Sequence, residues 1–287
     1  MITGHNLVGG VWESNSNTTT YKTINPKTEE ILPSCFDAAN ASQIETAVEA
    51  AAGAFETFAA TSFKTRITFL KAIQKEIKAN SVEILSVFQL ESALPEGRAN
   101  GELQRTLDQI ERFVELLEEG SFIQATLNTN GLDLRKMLYP IGPIVVFGAS
   151  NFPLAFSTAG GDTISALAAG CPVVVKAHPY HAGTSELVAQ AIHLAIKKSK
   201  VPTEAFSHLG GQSHELGMSL VSHPLVKGVG FTGSFTGGKS LFDLVQQRDE
   251  PIPFFAEMGS VNPIFILENK VKKDSILPTA LASSITL

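Results

Sequence analysis

The sequence predicts an α/β protein in which a parallel sheet carries helices on both faces, preceded by N-terminal helices and a projecting β arm. From residue 144 onward, short apolar stretches alternate with glycine turns and helical patterns, which is typical of repeated βα units. The 287 residues are 44% hydrophobic and 17% charged, which provides ample material for a buried core. We therefore expect one large or two ordinary globular domains.

Composition also argues against several classes of protein. A net charge of -6 disfavours general binding of polyanions, so no nucleic-acid partner is expected. Cys35 and Cys171 are far apart and lack metal-ligand spacing, so neither a disulfide framework nor a structural zinc is indicated. The first ten residues lack a signal-peptide pattern, and no apolar run approaches about 18 residues. These features predict a cytoplasmic protein with no membrane partner.

The N-terminal part predicts short strands followed by four amphipathic helices. Gly9-Gly10 and Asn25-Pro26 punctuate segments that indicate a hairpin or edge strands. Ser42 and Glu45 fit a capping box, and the apolar face of the first helix begins at Ile44. Three further helices are predicted from apolar positions at helical spacing, which begin at Ile67, Val82 and Leu103.

Beyond Gly120 the pattern becomes β-rich and then alternates. Residues 121–139 predict a two-stranded arm with a turn at 128–131, before Pro140 and Pro143. The predicted strands of the sheet cover 144–147, 173–176, 206–209, 228–231 and 253–256, the last leading into the apolar run 263–267. The predicted helices between them cover 163–169, 185–197, 215–222 and 239–247. Ligands of such sheets bind beyond the carboxyl ends of the strands.

The first two strands of this sheet end in polar residues. Asn151 follows the first strand, where its amide would donate to a developing oxyanion; the alternative is a loop Asn that caps the next helix. Lys176 ends the second strand, either as a solvated lysine or as a hydrogen-bond donor to a ribose or phosphate. His178 and His181 form an HxxH pair, but no nearby carboxylate or Cys motif supports a metal site.

The last two strands lead into further candidates. Residues 233–240 match the pattern GxxxxGK[ST], so a phosphate-binding loop at a helix N-terminus is one hypothesis. A P-loop enzyme also needs a downstream magnesium-binding acid, for which Glu268 is a poor substitute. Glu257 follows an apolar strand, where partial desolvation would raise its pKa toward the range of a general base. Its alternative role is a helix or strand cap.

Together these residues resemble the aldehyde dehydrogenase superfamily. The SNFP string at Asn151, the strand-end Lys176, the GFTGS string at 230–234 and Glu257-Met258-Gly259 occur in the family's order and at its spacing. More narrowly, three segments resemble the branch that contains α-ketoglutaric semialdehyde and NADP-linked fatty aldehyde dehydrogenases, namely 91–98, 133–137 and 147–161. The resemblance implies a cofactor-binding domain that comprises 1–120 and 143–258 and contains a Rossmann-type sheet. It also implies a dimerisation arm at 121–142 and the start of a catalytic domain at 259–287.

The resemblance also implies a mechanism. A Cys thiolate would attack the aldehyde, the Asn151 amide would hold the oxyanion of the thiohemiacetal, and hydride would pass to NAD or NADP. Glu257 would then activate the water that hydrolyses the thioester. The cofactor ribose and pyrophosphate would be positioned by a set of strand-end residues, namely Lys176, His178, Pro179, Gly210, Gly233, Ser234 and Gly238.

Two departures from the family pattern are informative. Many NAD-preferring relatives place a Glu three residues after the strand-end lysine, where this chain has Pro179. We therefore expect use of both cofactors or a preference for NADP. The candidates to face the 2′-phosphate of NADP are His178, His181 and His214. The family's nucleophilic Cys lies beyond the position of Leu287. We therefore expect an incomplete chain without aldehyde turnover; the alternatives are a non-catalytic dinucleotide-binding or subunit-pairing product, and a P-loop nucleotide-binding protein.

Overall fold

The computed structural model describes residues 1–14, 19–259 and 261–286. Within these residues a seven-stranded sheet runs through the protein, flanked by two separate two-stranded sheets. The strands, in chain order, are β1 (Asn6–Val8), β2 (Val11–Glu13), β3 (Thr20–Ile24), β4 (Ile31–Asp37), β5 (Thr126–Asn128), β6 (Leu134–Lys136), β7 (Ile144–Phe147), β8 (Val173–Lys176), β9 (Phe206–Leu209), β10 (Gly228–Thr232) and β11 (Phe254–Glu257).

The helices follow the predicted order. They are α1 (Ala41–Ala59), α2 (Phe63–Ala79), α3 (Ser81–Ser92), α4 (Glu96–Glu119), α5 (Gly161–Ala169), α6 (Ala182–Lys197), α7 (His214–Ser222), α8 (Phe235–Gln246), α9 (Glu268–Lys273) and α10 (Leu277–Thr286). The expected α/β class, the parallel βα units and the N-terminal helices are thus confirmed. The two-stranded arm is present as the antiparallel pair β5 and β6, whose residues are all exposed.

The main sheet has the order β11-β10-β7-β8-β9-β1-β2, and its five strands from β7 to β11 are parallel. From β7 the chain adds β8 and β9 on one side and then returns to place β10 and β11 on the other. The carboxyl ends of β7 and β10 therefore form a topological switch point, from which successive loops leave in opposite directions. Ligands of open α/β sheets bind at such a point.

Two apolar clusters lie on opposite faces of this sheet, because successive side chains of a strand point to opposite sides. On one face, Ile144 and Val146 pack with residues of α2 to α6. On the other face, Val145 and Phe147 pack with residues of α1, α7 and α8. The sheet is therefore the middle layer of the fold, and the loops at the carboxyl ends of its strands are held from both sides.

The N-terminal segment forms the predicted hairpin and extends the sheet. β1 pairs antiparallel with β2 and with β9, where Leu7 faces His208. The buried carboxylate of Glu186 on α6 accepts hydrogen bonds from the backbone N–H groups of Thr3 and Gly4, at 2.6 and 2.9 Å. These bonds anchor the first residues to α6. The pairing with β9 was not part of the prediction.

Three local predictions are wrong. The capping box of α1 is formed by Asn40 and Gln43 rather than by Ser42 and Glu45, because the helix begins at Ala41 and Asn40 accepts from the N–H of Gln43 at 2.8 Å. Val82, predicted on one apolar stripe with Leu85 and Phe88, is 83% exposed; Phe88 is buried as predicted, and Ile84 is the other large apolar side chain of α3 that is buried. The apolar run 263–267, which we expected to be the opening strand of a catalytic domain, has no regular secondary structure among the described residues, and its large side chains are exposed.

Candidate active site

Asn151 lies at the switch point, in the loop that follows β7. Its side chain is exposed, and the loop runs on to Gly160 before α5 begins. The N-cap of α5 is Gly160, which makes no side-chain cap, so the interpretation of Asn151 as a helix cap is wrong. The Asn151 amide is instead presented at the carboxyl edge of the sheet, where it is free to meet a ligand.

The loop that carries Asn151, residues 148–160, is held by a buried carboxylate of α4. Glu102 is 2% exposed and accepts hydrogen bonds from the backbone N–H groups of Leu154 at 3.2 Å and Ala155 at 3.3 Å. Its other oxygen pairs with the Arg98 Nε at 3.1 Å. On the opposite side, the buried His181 Nε2 lies 2.8 Å from the carbonyl oxygen of Ala149, to which it donates. Long-range contacts therefore fix the loop near its start, at Ala149, and in its middle, at Leu154 and Ala155.

Lys176 ends β8, next to the Asn151 loop in the sheet, where it pairs with Phe147 of β7 and Leu209 of β9. Its side chain is half-buried, and burial lowers the pKa of the ammonium from 10.5 to about 8 because desolvation disfavours the charged form. The interpretation of a freely solvated strand-end lysine is therefore wrong. A partly desolvated ammonium at a strand end is suited to bind hydroxyl or phosphate oxygens.

The histidines after β8 do not supply positive charge. Burial lowers the pKa of His178 to about 3, with smaller contributions from His181 and Lys176. The neutral ring accepts from the Tyr180 N–H at 3.3 Å and stacks on His181, whose centroid is 5.4 Å away. His181 is buried and does not face a ligand, which corrects the expectation that it meets a phosphate; His214 is exposed at the start of α7.

Pro179 opens the 3₁₀ turn between β8 and α6 and is half-buried. Its side chain carries no charge, so the position of the family's ribose-binding Glu offers neither an acceptor nor a repulsive carboxylate. Across the described ranges, no group of three His, Cys, Asp or Glu side chains is arranged to hold a metal ion.

Gly210 follows β9, but both of its backbone groups are already engaged. Its N–H donates to the Asn6 Oδ1 at 2.7 Å, and its carbonyl oxygen accepts from the Ala39 N–H at 2.9 Å. A Cβ at this position would lie 2.9 Å from the Tyr21 hydroxyl. This glycine therefore permits close packing of the N-terminal strands, and its N–H is not available to a cofactor.

The loop after β10 lies on the other side of the switch point. Ser234 caps α8 by accepting from the Gly237 N–H at 3.2 Å, which leaves its own hydroxyl hydrogen free to donate. The N–H of Gly233 donates to the Glu257 carbonyl oxygen at 3.0 Å, and Gly238 packs against Met258. The helix N-terminus beyond Ser234 is positive and suits an anionic group.

The P-loop hypothesis has no support at this loop. The lysine of the GxxxxGK[ST] string, Lys239, donates to both carboxylate oxygens of Asp243, at 2.5 and 2.6 Å, on the exposed surface of α8. A P-loop lysine has to reach the phosphates in front of the helix. Lys239 instead forms an i,i+4 pair along the helix.

Glu257 lies at the end of β11, close to the loop after β10. It is exposed, so the expectation that an apolar strand would desolvate it is wrong. The reason is that β11 is the edge strand of the sheet, and Phe255 beside it is 62% exposed. The acid that is desolvated here is Asp162 at the start of α5, where burial, followed by the negative charge of Glu257, raises the carboxyl pKa.

The sequence analysis missed Asp162. Its side chain hydrogen-bonds with Thr232 and packs against Gly230, where a Cβ would lie 3.0 Å from the Asp162 Cβ. The signal was present in the GFTGS string, since a glycine within an apolar strand marks a close approach by another group. Asp162 and Glu257 thus bring two acids together at the carboxyl ends of β10 and β11.

Neither cysteine is part of this site. Cys171 lies in the turn between α5 and β8 and is 4% exposed, and burial raises the pKa of its thiol. Cys35 is exposed on β4, in the separate two-stranded sheet. The loops at the switch point therefore carry an amide, an ammonium, a hydroxyl and two carboxylates, and the nucleophilic thiol that the resemblance implies is not among them.

A mostly parallel sheet with helices on both faces and polar side chains at its switch point places the chain among the α/β proteins that bind ligands at the strand ends. The chain belongs to the aldehyde dehydrogenase family, whose profile matches residues 12–285. Within the described residues, no helix has the length and apolar character needed to cross a membrane.

Two curated relatives are similar over most of the chain. An α-ketoglutaric semialdehyde dehydrogenase 2 of Azospirillum brasilense is 41% identical over 295 aligned positions, which cover 100% of this chain and 56% of the relative. An α-ketoglutaric semialdehyde dehydrogenase of Acinetobacter baylyi is 44% identical over 260 positions, covering 88% of this chain and 49% of the relative. The chain thus spans about half the length of the curated relatives it matches.

Solved structures show the same fold. An NAD-dependent benzaldehyde dehydrogenase from Corynebacterium glutamicum aligns with a TM-score of 0.80 at 24% identity, covering 90% of this chain and 55% of that one. A betaine aldehyde dehydrogenase variant from Staphylococcus aureus, in complex with NAD+, aligns with a TM-score of 0.83 at 20% identity, covering 92% and 52%. At this identity the likeness establishes the architecture alone.

Proposed function

We propose that this chain provides the cofactor-binding part of an enzyme that oxidises an aldehyde to a carboxylate with NAD+ or NADP+, and that the aldehyde is α-ketoglutaric semialdehyde (2,5-dioxopentanoate). The observation that carries the proposal is the similarity, at 41% and 44% identity, to two α-ketoglutaric semialdehyde dehydrogenases. The placement of Asn151, Lys176 and Ser234 around one switch point supports it.

The residues at the switch point fit a dinucleotide. Lys176 is a half-buried cation whose pKa is lowered by desolvation, and a hydroxyl or phosphate oxygen of the cofactor would restore the interactions that burial removes. Ser234 has a free hydroxyl hydrogen at the N-terminus of α8, which suits the pyrophosphate. We infer that these two side chains hold the cofactor, with Gly233 and Gly238 keeping the backbone close. When bound, the nicotinamide supplies the hydride acceptor.

The other strand-end residues act on the aldehyde carbon. The Asn151 amide donates a hydrogen bond to the oxygen of the aldehyde as negative charge develops there, a contribution of about 3 to 4 kcal/mol in comparable sites. Glu257 accepts a proton from the water that releases the acid product. Asp162 lies close to Glu257, and burial followed by the negative charge of Glu257 raises the pKa of its carboxyl group.

The nucleophilic thiol is proposed to come from outside these 287 residues. Cys171 is buried with a raised pKa, and a thiol in that condition is a poor nucleophile. Cys35 is in another sheet. Residues 1–287 alone are therefore expected to bind cofactor without turning over aldehyde, and thiol-dependent NADPH formation by this polypeptide would contradict that expectation.

Cofactor choice is proposed to be dual or to lean toward NADP+. Pro179 carries no carboxylate to repel a 2′-phosphate, and this is the supporting feature. His178 is neutral, so the preference does not depend on its charge. We further propose that 1–120 and 143–258 form the cofactor-binding domain, that 121–142 is a dimerisation arm, and that 259–287 begins a catalytic domain.

The test has two parts. Purified residues 1–287 are titrated with NADP+, NAD+ and MgATP by calorimetry, and dinucleotide binding that MgATP does not match is expected. The intact gene product is then assayed with 2,5-dioxopentanoate and pentanal. Turnover of neither aldehyde would refute the proposed reaction, and dinucleotide binding without turnover would favour the non-catalytic alternative.

A further inference from the structure

Two arginines of α4 lie over the aromatic side chains of the Asn151 loop. The Arg98 guanidinium is 4.3 Å from the ring centroid of Phe152, the residue directly after Asn151. The Arg105 guanidinium is 4.7 Å from the Phe156 centroid and 5.9 Å from that of Phe152. Phe152 and Phe156 themselves meet edge to face at 5.0 Å. A pair of guanidinium groups thus lies over the aromatic residues that follow Asn151 in its loop.

The two arginines differ in what else they contact. Arg98 is 30% exposed and its Nε donates to Glu102, a carboxylate that is 2% exposed. Its charge is therefore matched within the protein, and it completes the contacts that fix the Asn151 loop. The ion pair with Glu102 therefore accounts for the position of Arg98.

Among the residues that the structure describes, Arg105 has no such carboxylate partner. Its side chain is exposed, and across 1–14, 19–259 and 261–286 its contacts are the rings of Phe152 and Phe156. The acids nearest on the same helix are engaged elsewhere, since Glu102 binds the loop and Asp108 accepts from Gln104 at 2.7 Å. Stacking on an aromatic ring occupies the face of a guanidinium and leaves its N–H groups at the edge. Those N–H groups suit a planar carboxylate bound through two parallel hydrogen bonds.

We propose that Arg105 forms an anion subsite that binds the carboxylate at the far end of an acidic aldehyde. The position supports this role, because Arg105 lies over the ring of Phe152, the residue directly after Asn151. In the proposed arrangement, the Asn151 amide holds the aldehyde end of a short ω-carboxy aldehyde and Arg105 holds its carboxylate end. The subsite selects semialdehydes of carboxylic acids over uncharged aldehydes of equal length. The inference rests on the proposed function and specifies which part of the substrate is recognised.

The experiment compares KM for 2,5-dioxopentanoate and for pentanal in the intact gene product. Arg105→Gln removes the charge and keeps a polar side chain of similar reach. A charge-assisted contact of this kind predicts a rise of roughly 10- to 100-fold in KM for the acidic aldehyde, with KM for pentanal and both kcat values nearly unchanged. Arg105→Lys should recover part of the affinity, since it restores charge without the bidentate edge. Arg112→Gln, an exposed arginine seven residues further along α4, is the matched control.

The outcomes separate the subsite from the reaction itself. Equal rises in KM for both aldehydes, or no rise for either, would overturn the anion subsite while the proposed oxidation stands. Absence of turnover in the unmodified protein would refute the proposed oxidation and the subsite with it. A urea midpoint for Arg105→Gln that matches the unmodified protein excludes misfolding as the cause of a KM change.

Discussion

Replacing Glu102 with alanine removes the carboxylate that holds the Asn151 loop, and the structure permits an estimate of the cost. The side chain is 2% exposed and accepts from the N–H groups of Leu154 and Ala155, two residues that are themselves buried. Each buried donor left without a partner costs about 1 to 3 kcal/mol. The exposed fraction of Arg98 lets water replace that contact, so we expect a total loss of about 2 to 5 kcal/mol.

The measurement is urea unfolding of residues 1–287, monitored by circular dichroism. The free energies of unfolding are compared with the same m value, the slope against urea concentration, for all variants. Glu118→Ala is the control, because Glu118 lies on the same helix but is 52% exposed and pairs with Lys71 at 3.0 Å, an ion pair worth less than about 1 kcal/mol. Hydrogen exchange gives a local measure, since the amides of Leu154 and Ala155 should lose protection in the Glu102 variant alone. Surface substitutions usually change the free energy of unfolding by less than about 0.5 kcal/mol. If the two variants lose stability by amounts that differ by no more than this, the reasoning is refuted.

Three further predictions follow from the site and its surroundings. Dinucleotide affinity of residues 1–287 should decline as pH rises through about 8, because the Lys176 cation is present below its lowered pKa and lost above it; calorimetry should show a flat profile for Lys176→Met. Gly160→Ala should cost about 1 to 3 kcal/mol in urea unfolding, since its Cβ would lie 2.8 Å from the Ser157 backbone nitrogen, whereas Gly53→Ala in the open surface of α1 should be neutral or stabilising. A thiol reagent should label Cys35 rapidly in the folded chain and Cys171 only after unfolding; rapid labelling of both would contradict the buried position of Cys171.

The strands and helices from residue 144 onward were predictable because each βα unit carries its own local pattern. Lys176 illustrates this, since an apolar strand that ends in a lysine and a turn can be read without knowledge of the rest of the chain. The resemblance to the family likewise rests on short sequence motifs of a few consecutive residues each. These features predict a site at the carboxyl edge of the sheet, where the structure places Asn151 and Lys176.

The remaining features depend on residues that are distant in the sequence. No local pattern shows that Glu102 reaches the loop after β7, or that Asn6 occupies the N–H of Gly210, because those contacts require the helices and hairpins to be placed first. The exposure of Glu257 depends on β11 being the edge strand, which sheet order decides and composition does not. Asn40 rather than Ser42 caps α1 because several polar residues competed for the same helix start.

The insertion of the first strand beside β9 has a consequence for how the chain folds during synthesis. The Asn6 side chain accepts from the N–H of Gly210, which lies 204 positions later in the chain. At about 5 to 20 residues per second, the ribosome synthesises Gly210 roughly 10 to 40 seconds after Asn6. Until then β1 can pair only with β2, and the backbone groups on its other edge, which later meet β9, are available for pairing with other chains. A nascent-chain chaperone that binds the first residues would therefore have the greatest effect on yield before residue 210 emerges.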